Sequence, residues 1–219
     1  MTAPPALLVD IDGTLVDTNY LHVLAWRRAF CEHGHDVPSA SIHRFIGAGS
    51  EVLLSGLVGD GFPDLEKAWH RHFEALMPEI APLPGAARFL RAAAGRGVSV
   101  VLATSSPSEM LDAYRAAIDA DDAISAVVSA GDVDGAKPSP EVFDVAMAKV
   151  GADASSSLAV GDTVWDVRAA ARAGVGTVCV LTGGIGRAEL VDVGAAAVYR
   201  DLEELVAELD HSPLARLVR

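Results

Sequence analysis

Basic residues and cysteines are scarce in this chain. Its 17 Lys and Arg stand against 30 Asp and Glu, which gives a formal net charge of −13 over 219 residues. Nucleic acids and anionic membranes are bound through basic patches, so we expect neither as a partner. Cys31 and Cys179 lie far apart without the spacing of a metal site, which favours a reducing cytoplasm over a disulfide framework.

Long hydrophobic runs and targeting signals are also missing. No stretch approaches the roughly 20 apolar residues of a membrane span. The N-terminus has neither a basic region nor a signal-peptide pattern. Hydrophobic residues make up 51% of the chain, which is typical of a globular protein. We therefore expect a cytoplasmic protein, either a monomer or a small homo-oligomer.

Two aspartates end the first apolar run of the chain. Residues 6–9 predict a short buried strand, and Asp10 and Asp12 follow it directly. Two negative charges about 4 Å apart near a protein surface repel by roughly 4 kcal/mol. The pair therefore indicates a bound cation or a proton-transfer task for one of the two acids. An Asx-type turn at Asp12 and Gly13 is the structural alternative.

The rest of the chain shows two different sequence patterns. Helical spacing dominates the early part and predicts an all-helical insert over residues 17–83, between core segments 1–16 and 84–219. From residue 85 onward, helices alternate with apolar strands. The predicted strands are 98–103, 124–129, 158–160, 175–181 and 196–199, and the predicted helices are 86–94, 107–118, 140–150, 164–173, one after 189, and 202–209. This order predicts an α/β fold with a Rossmann-like, three-layer core around a parallel sheet.

Thr104 and Ser105 follow one of these strands. A hydroxyl beside a helix N-terminus is a good seat for a phosphate, because it donates a hydrogen bond where the helix dipole favours negative charge. The next four residues, from Ser106 to Glu109, have the spacing of a capping box with Pro at the first helical position. The alternative is that Thr104 and Ser105 are only turn and cap residues.

Lys137 and a pair of aspartates follow two other strands. Pro138 restricts the backbone of Lys137, which suits a cation placed to neutralise a nucleophilic carboxylate and a phosphate together. A surface lysine is the alternative. Asp162 and Asp166 lie one helical turn apart at a helix N-terminus, so their carboxylates suit an oxygen-preferring cation. Their alternative is an N-cap acid followed by a first-turn acid. All four sites follow strand ends, where parallel sheets bind ligands.

These residues resemble the four signature motifs of the haloacid dehalogenase-like superfamily. The motifs are Asp10-Ile11-Asp12-Gly13-Thr14, Thr104, Lys137-Pro138, and Gly161-Asp162-Thr163-Val164-Trp165-Asp166. Their order and spacing match that superfamily across nearly the whole chain. The insert over residues 17–83 resembles its α-helical cap of the phosphoglycolate phosphatase and β-phosphoglucomutase type.

The resemblance implies a phosphatase that uses Mg²⁺ and a small phosphorylated metabolite. It implies that Asp10 is the nucleophile and Asp12 the general acid and base. The metal would be held by Asp10, the backbone carbonyl of Asp12, Asp162 and Asp166. The implied phosphate-binding residues are Gly13, Thr104, Ser105 and Lys137. Haloacid dehalogenases lack the second acid, so Asp12 argues against dehalogenation.

Two alternatives stay open: a phosphomutase, and a non-catalytic binding module that would have no need of Asp12. The basic cap residue of the mutase is not evident after Gly47, where Ser50 and Glu51 stand instead, and this favours a phosphatase. Within the insert, His22 and Trp26 are four residues apart and share a helix face, which is similar to the cap entry of β-phosphoglucomutase. Packing of the two side chains between insert and core is the alternative.

The turn around Gly47 resembles the substrate-facing loop of that cap. Arg44 or His43 beside it would suit an anionic substrate, and a solvated helix end is the alternative. The run from Gly183 to Gly186 lacks the full glycine spacing of a dinucleotide site, and we predict a loop there.

Overall fold

One six-stranded parallel sheet forms the centre of the molecule. The computed structural model describes residues 3–59 and 63–217. Its strands are β1 (Ala6–Val9), β2 (Ser99–Ala103), β3 (Ala126–Val128), β4 (Ser157–Gly161), β5 (Gly176–Val180) and β6 (Ala197–Tyr199). They are ordered β3-β2-β1-β4-β5-β6, and each neighbouring pair is parallel. The predicted α/β, Rossmann-like class is confirmed.

Strand β1 is buried on both faces, because helices cover both sides of the sheet. Its alternate residues enter different layers: Leu7 and Val9 lie in one hydrophobic cluster, and Ala6 and Leu8 in the other. A near-continuous apolar strand with no polar alternation is the expected sequence for such a position. The strand therefore brings the residues that follow it, Asp10 and Asp12, to the middle of the sheet edge.

Ten α-helices lie in the described part of the chain. They are α1 (Asn19–Glu32), α2 (Ser39–His43), α3 (Ser50–Leu57), α4 (Pro63–Glu74), α5 (Ala86–Ala94), α6 (Leu111–Ile118), α7 (Glu141–Val150), α8 (Val164–Arg172), α9 (Arg187–Asp192) and α10 (Leu202–Ala207). None of these helices has the length and hydropathy needed to cross a bilayer.

Helices α1 to α4 all fall between β1 and β2, and we call them the four-helix segment. Helix α1 packs on α4 through Trp26 and Trp69, whose rings stack with centroids 5.2 Å apart. The two chain crossings beside this segment are hydrogen-bonded to each other: Asp17 N donates to Ala81 O, and Leu83 N donates to Leu15 O, both at 2.9 Å. The boundaries after residues 16 and 83 stay a prediction.

Several element ends differ from their predicted positions. The helix expected from residue 107 begins at Leu111, because residues 108–110 form a separate 3₁₀ turn. The strand expected over 124–129 is shortened to Ala126–Val128, since Ile124 N still bonds to Asp121 O of the preceding turn and Ser129 caps the following one. The helix expected after Glu189 begins two residues earlier, at Arg187. The last predicted helix ends at Ala207 rather than 209.

Candidate active site

The carboxyl ends of three adjacent strands bring the main polar residues together. Asp10 follows β1, Thr104 follows β2, and Asp162 follows β4. The backbone fixes their positions, because Asp10 N donates to Val160 O at 2.9 Å and Thr104 N donates to Val128 O at 3.0 Å. Residues more than 90 positions apart in the chain therefore meet at one edge.

Asp10, Asp162 and Asp166 form a buried carboxylate cluster. One oxygen from each lies within 4.8 Å of the others. Lys137 is completely buried beside them, and its Nζ donates to Asp10 Oδ1 at 2.5 Å and to Asp166 Oδ1 at 2.7 Å. Burial opposes the charge on Lys137, but the two carboxylates outweigh it and raise the pKa of the ammonium group. Lys137 is therefore the internal cation of the cluster.

One cation does not balance three carboxylates. Burial raises the pKa of Asp10 well above its usual range, although Lys137 pulls in the other direction, and Asp166 and Asp162 add to the rise. Burial and the charge of Asp166 raise the pKa of Asp162 to about 8. The donors are hard carboxylate oxygens with a deficit of positive charge nearby, and both properties fit Mg²⁺.

Asp162 is held by side chains and enclosed by glycines. Thr14 Oγ1 donates to its Oδ1 at 2.8 Å, and Asn19 Nδ2 donates to its Oδ2 at 2.9 Å. A Cβ at Gly183 would lie 1.7 Å from Oδ2, and one at Gly13 would lie 2.4 Å from it. The loop predicted at residues 183–186 thus contributes the close backbone approach around Asp162.

Asp166 is held by the start of helix α8. Thr163 is the N-cap residue of a capping box: its N donates to Asp166 Oδ2 at 3.1 Å, and its Oγ1 accepts from Asp166 N at 3.4 Å. The same Oγ1 also donates to Asp166 Oδ2 at 2.6 Å. The alternative in which Asp162 caps this helix is wrong, because the Asp162 side chain is bonded to Thr14 and Asn19 instead. Both acids therefore face the cluster.

Asp12 has its own hydrogen-bond network, separate from the cluster. Thr18 Oγ1 and His22 Nε2 contact its Oδ1 at 2.6 and 2.9 Å, while Ser106 Oγ and Thr104 Oγ1 donate to its Oδ2 at 2.6 and 3.3 Å. Burial would raise the pKa of Asp12, but the charge and hydrogen bond of His22, together with the two hydroxyls of Ser106 and Thr18, hold it well below its usual range. Asp12 is a stabilised carboxylate in this arrangement.

One expectation about a helix cap is changed by these contacts. The capping box predicted at Ser106 does not form, because its hydroxyl donates to Asp12 and the following 3₁₀ turn has no side-chain cap. The side chain of Asp12 therefore takes the place of the backbone N–H as the partner of Ser106.

The side chain of His22, on α1, lies where the four-helix segment meets the core. Its ring stacks on Phe73 with centroids 4.1 Å apart and on Trp69 at 5.6 Å. Tyr114 Oη is 3.3 Å from the same Nε2 that contacts Asp12. This packing holds the imidazole in place. The His22 side chain therefore packs between helices and also contacts the candidate site at Asp12.

A cavity of about 100 Å³ opens above Asp10 and Asp12. Its wall includes these predicted site residues: Asp10, Asp12, Thr104, Ser105, His22, Trp26 and Gly47. Ser105 Oγ lies 3.4 Å from Gly47 O, so the two predicted loops face each other across the cavity rim. Gly13 and Lys137 are not part of this wall. Lys137 contacts Asp10, and Gly13 lies close to Asp162.

Arg44 and His43 are directed away from the cavity wall. Arg44 is exposed and forms an ion pair with Glu189, with Nη1 2.8 Å from Oε2. Its backbone oxygen accepts a hydrogen bond from Trp165 Nε1 at 3.1 Å. His43 Nε2 contacts Gly183 O at 2.8 Å. Both residues therefore connect the four-helix segment to the core.

The sequence reasoning did not identify several residues that support the site. They are Thr14, Thr18, Asn19, Ser106 and Tyr114. Thr14 lies within the first motif, and Ser106 had the spacing of a helix cap, which indicated a different partner. The others are ordinary polar residues whose partners are supplied by distant parts of the fold.

Comparisons with known proteins agree with this geometry. A family model described as haloacid dehalogenase-like hydrolase matches residues 4–174. A phosphoglycolate phosphatase of Rhodospirillum rubrum is 28% identical over 216 residues, covering 92% of this chain and 89% of the relative. The CbbY protein of Cupriavidus necator is 31% identical over 198 residues, covering 81% of this chain and 78% of the relative.

A solved structure gives the same result. The crystal structure of a hydrolase from Pseudomonas syringae superposes with a TM-score of 0.89 at 30% identity, covering 94% of this chain and 98% of that one. With the family model matching most of the chain and the motifs meeting at one sheet edge, this protein belongs to the haloacid dehalogenase-like hydrolase family.

Proposed function

We propose that this protein is a Mg²⁺-dependent phosphatase that hydrolyses a small phosphorylated metabolite. The observation that carries the proposal is the separation of two kinds of acid. Asp10 belongs to a carboxylate cluster with an internal cation, while Asp12, two residues away, is bonded to hydroxyls and His22. Such a division suits a nucleophile beside a metal and a separate group that moves protons.

In the first half of the reaction, an Asp10 carboxylate oxygen attacks phosphorus. A phosphorus–oxygen bond to Asp10 forms while the bond to the leaving oxygen breaks. Asp12 gives the departing alkoxide the proton that it takes from water in the second half of the preceding cycle, and its low pKa makes it a strong acid for this step. The hydrogen bonds to Asp12 stabilise its anion once the proton has left.

In the second half, water displaces phosphate from Asp10. Asp12, now a carboxylate, takes a proton from the attacking water as the new phosphorus–oxygen bond forms. The bond from phosphorus to Asp10 then breaks, which restores the free carboxylate and releases inorganic phosphate. The lowered pKa of Asp12 makes it a weak base. Its main contribution to proton transfer is therefore its position in the cavity wall.

Asp10, Asp162, Asp166 and the backbone carbonyl of Asp12 would hold Mg²⁺. When bound, this ion supplies positive charge that stabilises the transferring phosphoryl group. Lys137 positions Asp10 through its 2.5 Å contact, and Thr104 and Ser105 line the same cavity. These groups match the charge requirements of phosphoryl transfer.

The wall composition favours a phosphatase over a phosphomutase. Ser50 and Glu66 stand beside the loop that contains Gly47, and the described cavity wall contains no Lys or Arg to bind a second phosphate. The phosphoglycolate phosphatase of R. rubrum supports phosphate monoester hydrolysis as the reaction class. A non-catalytic role would leave the network around Asp12 without a purpose.

Hydrolysis of p-nitrophenyl phosphate tests the proposal. We expect turnover with Mg²⁺, loss of turnover on chelation, and loss in Asp10→Asn. Asp17→Asn is the matched control, because Asp17 is exposed and lies in the same loop. Turnover by Asp10→Asn equal to that of the control would exclude Asp10 as the nucleophile. Formation of a hexose 6-phosphate from its 1-phosphate would instead support the mutase.

A further inference from the structure

We propose that the cavity selects phosphate esters whose leaving group carries no negative charge and donates a hydrogen bond to Glu66. This inference rests on the proposed phosphatase function and names its substrate class. Substrates with a carboxylate or a second phosphate on the leaving group are disfavoured. Glu66 becomes a specificity-determining residue at the end of the cavity formed by the four-helix segment.

The charged side chains of the cavity wall are acidic. Three carboxylates, of Asp10, Asp12 and Glu66, line it, and the described wall residues include no Lys or Arg. Three cations on neighbouring segments are already paired: Lys137 with Asp10 and Asp166, Arg44 with Glu189, and Lys67 with Asp64. An anionic leaving group would find no cationic partner here. Such a ligand binds weakly, because its negative charge loses water on entering the cavity and gains no cationic partner in return.

His22 does not supply the missing positive charge to a substrate. Its Nε2 lies 2.9 Å from Asp12 Oδ1, and its ring packs against Phe73 and Trp69. The imidazole is buried and is directed at the proton-transfer residue rather than at the far end of the cavity. Any charge that it carries is therefore neutralised by Asp12.

The Glu66 carboxylate can accept one more hydrogen bond. Glu66 is half-buried on α4, and its Oε1 accepts a hydrogen bond from Ser50 Oγ. Among the described residues, no partner contacts Oε2. Ser50 fixes the carboxylate in the wall, so the free oxygen is a preorganised acceptor. A hydroxyl or an ammonium group on the leaving group would satisfy it, whereas a carboxylate would be repelled.

Apolar side chains share the cavity wall with this acceptor. Trp26 and Trp69 lie in the same wall, with Phe45 and Leu53 beside them. Aromatic rings bind the C–H faces of a small polyol and also attract an ammonium group. A carboxylate acceptor set among aromatic rings therefore suits a leaving group with carbon faces and a hydrogen-bond donor.

Three esters that share a two-carbon frame test the proposal: 2-hydroxyethyl phosphate, 2-aminoethyl phosphate and 2-phosphoglycolate. We expect kcat/KM for at least one of the first two to exceed that for 2-phosphoglycolate by roughly tenfold or more. In Glu66→Gln, this preference should shrink by about the same factor, because the repulsion of the anion is removed. The hydroxyl and amino esters show which donor the natural substrate carries.

Glu74→Gln is the matched control. Glu74 lies on the same helix α4, is exposed, and is absent from the cavity wall, so its substitution should leave the preference unchanged. Equal or faster turnover of 2-phosphoglycolate by the wild-type protein would overturn the proposal. So would a Glu66→Gln preference that matches that of Glu74→Gln.

Calorimetric binding of the three esters separates this proposal from the phosphatase function. If p-nitrophenyl phosphate is not hydrolysed, the proposed reaction fails, while the order of the dissociation constants still tests the cavity. Weaker binding of 2-phosphoglycolate than of the other two supports selection by Glu66. Tighter binding of 2-phosphoglycolate than of both others contradicts it.

Discussion

Asp12 and His22 share a buried hydrogen bond of 2.9 Å between Oδ1 and Nε2, and it joins the first sequence motif to helix α1. The bond connects the residue proposed to transfer protons with the segment that covers the cavity. Because His22 favours the carboxylate form of Asp12, this contact sets how readily Asp12 holds a proton.

Replacing His22 with Gln should move the acidic limb of the kcat–pH profile to higher pH. His22 lowers the pKa of Asp12, so its loss lets that pKa rise, and the carboxylate is then protonated at a higher pH. We also expect kcat at pH 7 to fall roughly tenfold or more, in the range of general acid–base effects. The exposed His33 on the same stretch of chain provides a control, His33→Gln. Superimposable profiles for the two variants would contradict the assignment.

The metal-free protein should lose stability as the pH rises towards 8. The pKa of Asp162 is about 8 in the folded protein and close to 3.8 in the unfolded chain, so the folded state holds the extra proton between these values. Its stabilising contribution is complete below the unfolded pKa and is lost as the pH passes through the folded pKa. The slope is at most about 1.4 kcal/mol per pH unit for one group.

Thermal unfolding with and without Mg²⁺ measures this effect. The increase in Tm on adding Mg²⁺ should be larger at pH 8.5 than at pH 5.5, because the ion competes with protons for the carboxylates. Asp162→Asn should flatten the pH dependence and reduce the response to Mg²⁺. A response that grows as the pH falls would have the wrong sign for this site.

Gly183→Ala should disturb the carboxylate cluster, because the new Cβ would lie 1.7 Å from Asp162 Oδ2. Forcing an extra carbon into a packed region typically costs about 1–3 kcal/mol, and we expect a loss of that size in urea unfolding together with weaker Mg²⁺ binding. Gly186→Ala is the paired control, since a Cβ there meets no atom within 4 Å. Similar behaviour of the two variants would show that the loop moves freely away from Asp162.

Arg44→Ala should leave substrate affinity nearly unchanged. Arg44 is exposed and paired with Glu189, away from the cavity wall. Exposed ion pairs contribute about 0–1 kcal/mol, so the free energy of unfolding should change by no more than that. Steady-state kinetics provide the measurement, and an increase of tenfold or more in KM would show that Arg44 reaches the substrate after all.

The sequence predicted the sheet and the main site residues because both depend on local patterns. The apolar run over residues 6–9, followed at once by Asp10 and Asp12, is visible without any tertiary information. The parallel topology then requires the strand ends to share an edge, which brings Lys137 and Asp162 to the same place.

The supporting residues could not be predicted in the same way. Ser106 has the spacing of a helix cap, yet its partner Asp12 lies 94 residues earlier in the chain. From the sequence, Glu66 is expected on the solvent-exposed polar face of an amphipathic helix. Only the position of α4 in the fold shows that it lines the cavity. Local spacing reports a residue's preferences, whereas the partner that satisfies them is decided by long-range packing.

The paired chain crossings near Leu15 and Leu83 separate Asp12 from two of its hydrogen-bond partners along the chain. Thr18 and His22 belong to the far side of these crossings, yet they supply two of the hydrogen bonds to Asp12. A rotation that carried α1 away from the core would remove both bonds and raise the proton affinity of Asp12. By thermodynamic linkage, protonation of Asp12 would in turn favour that rotation. The position of α1 and the protonation of one carboxyl group would then be coupled to each other.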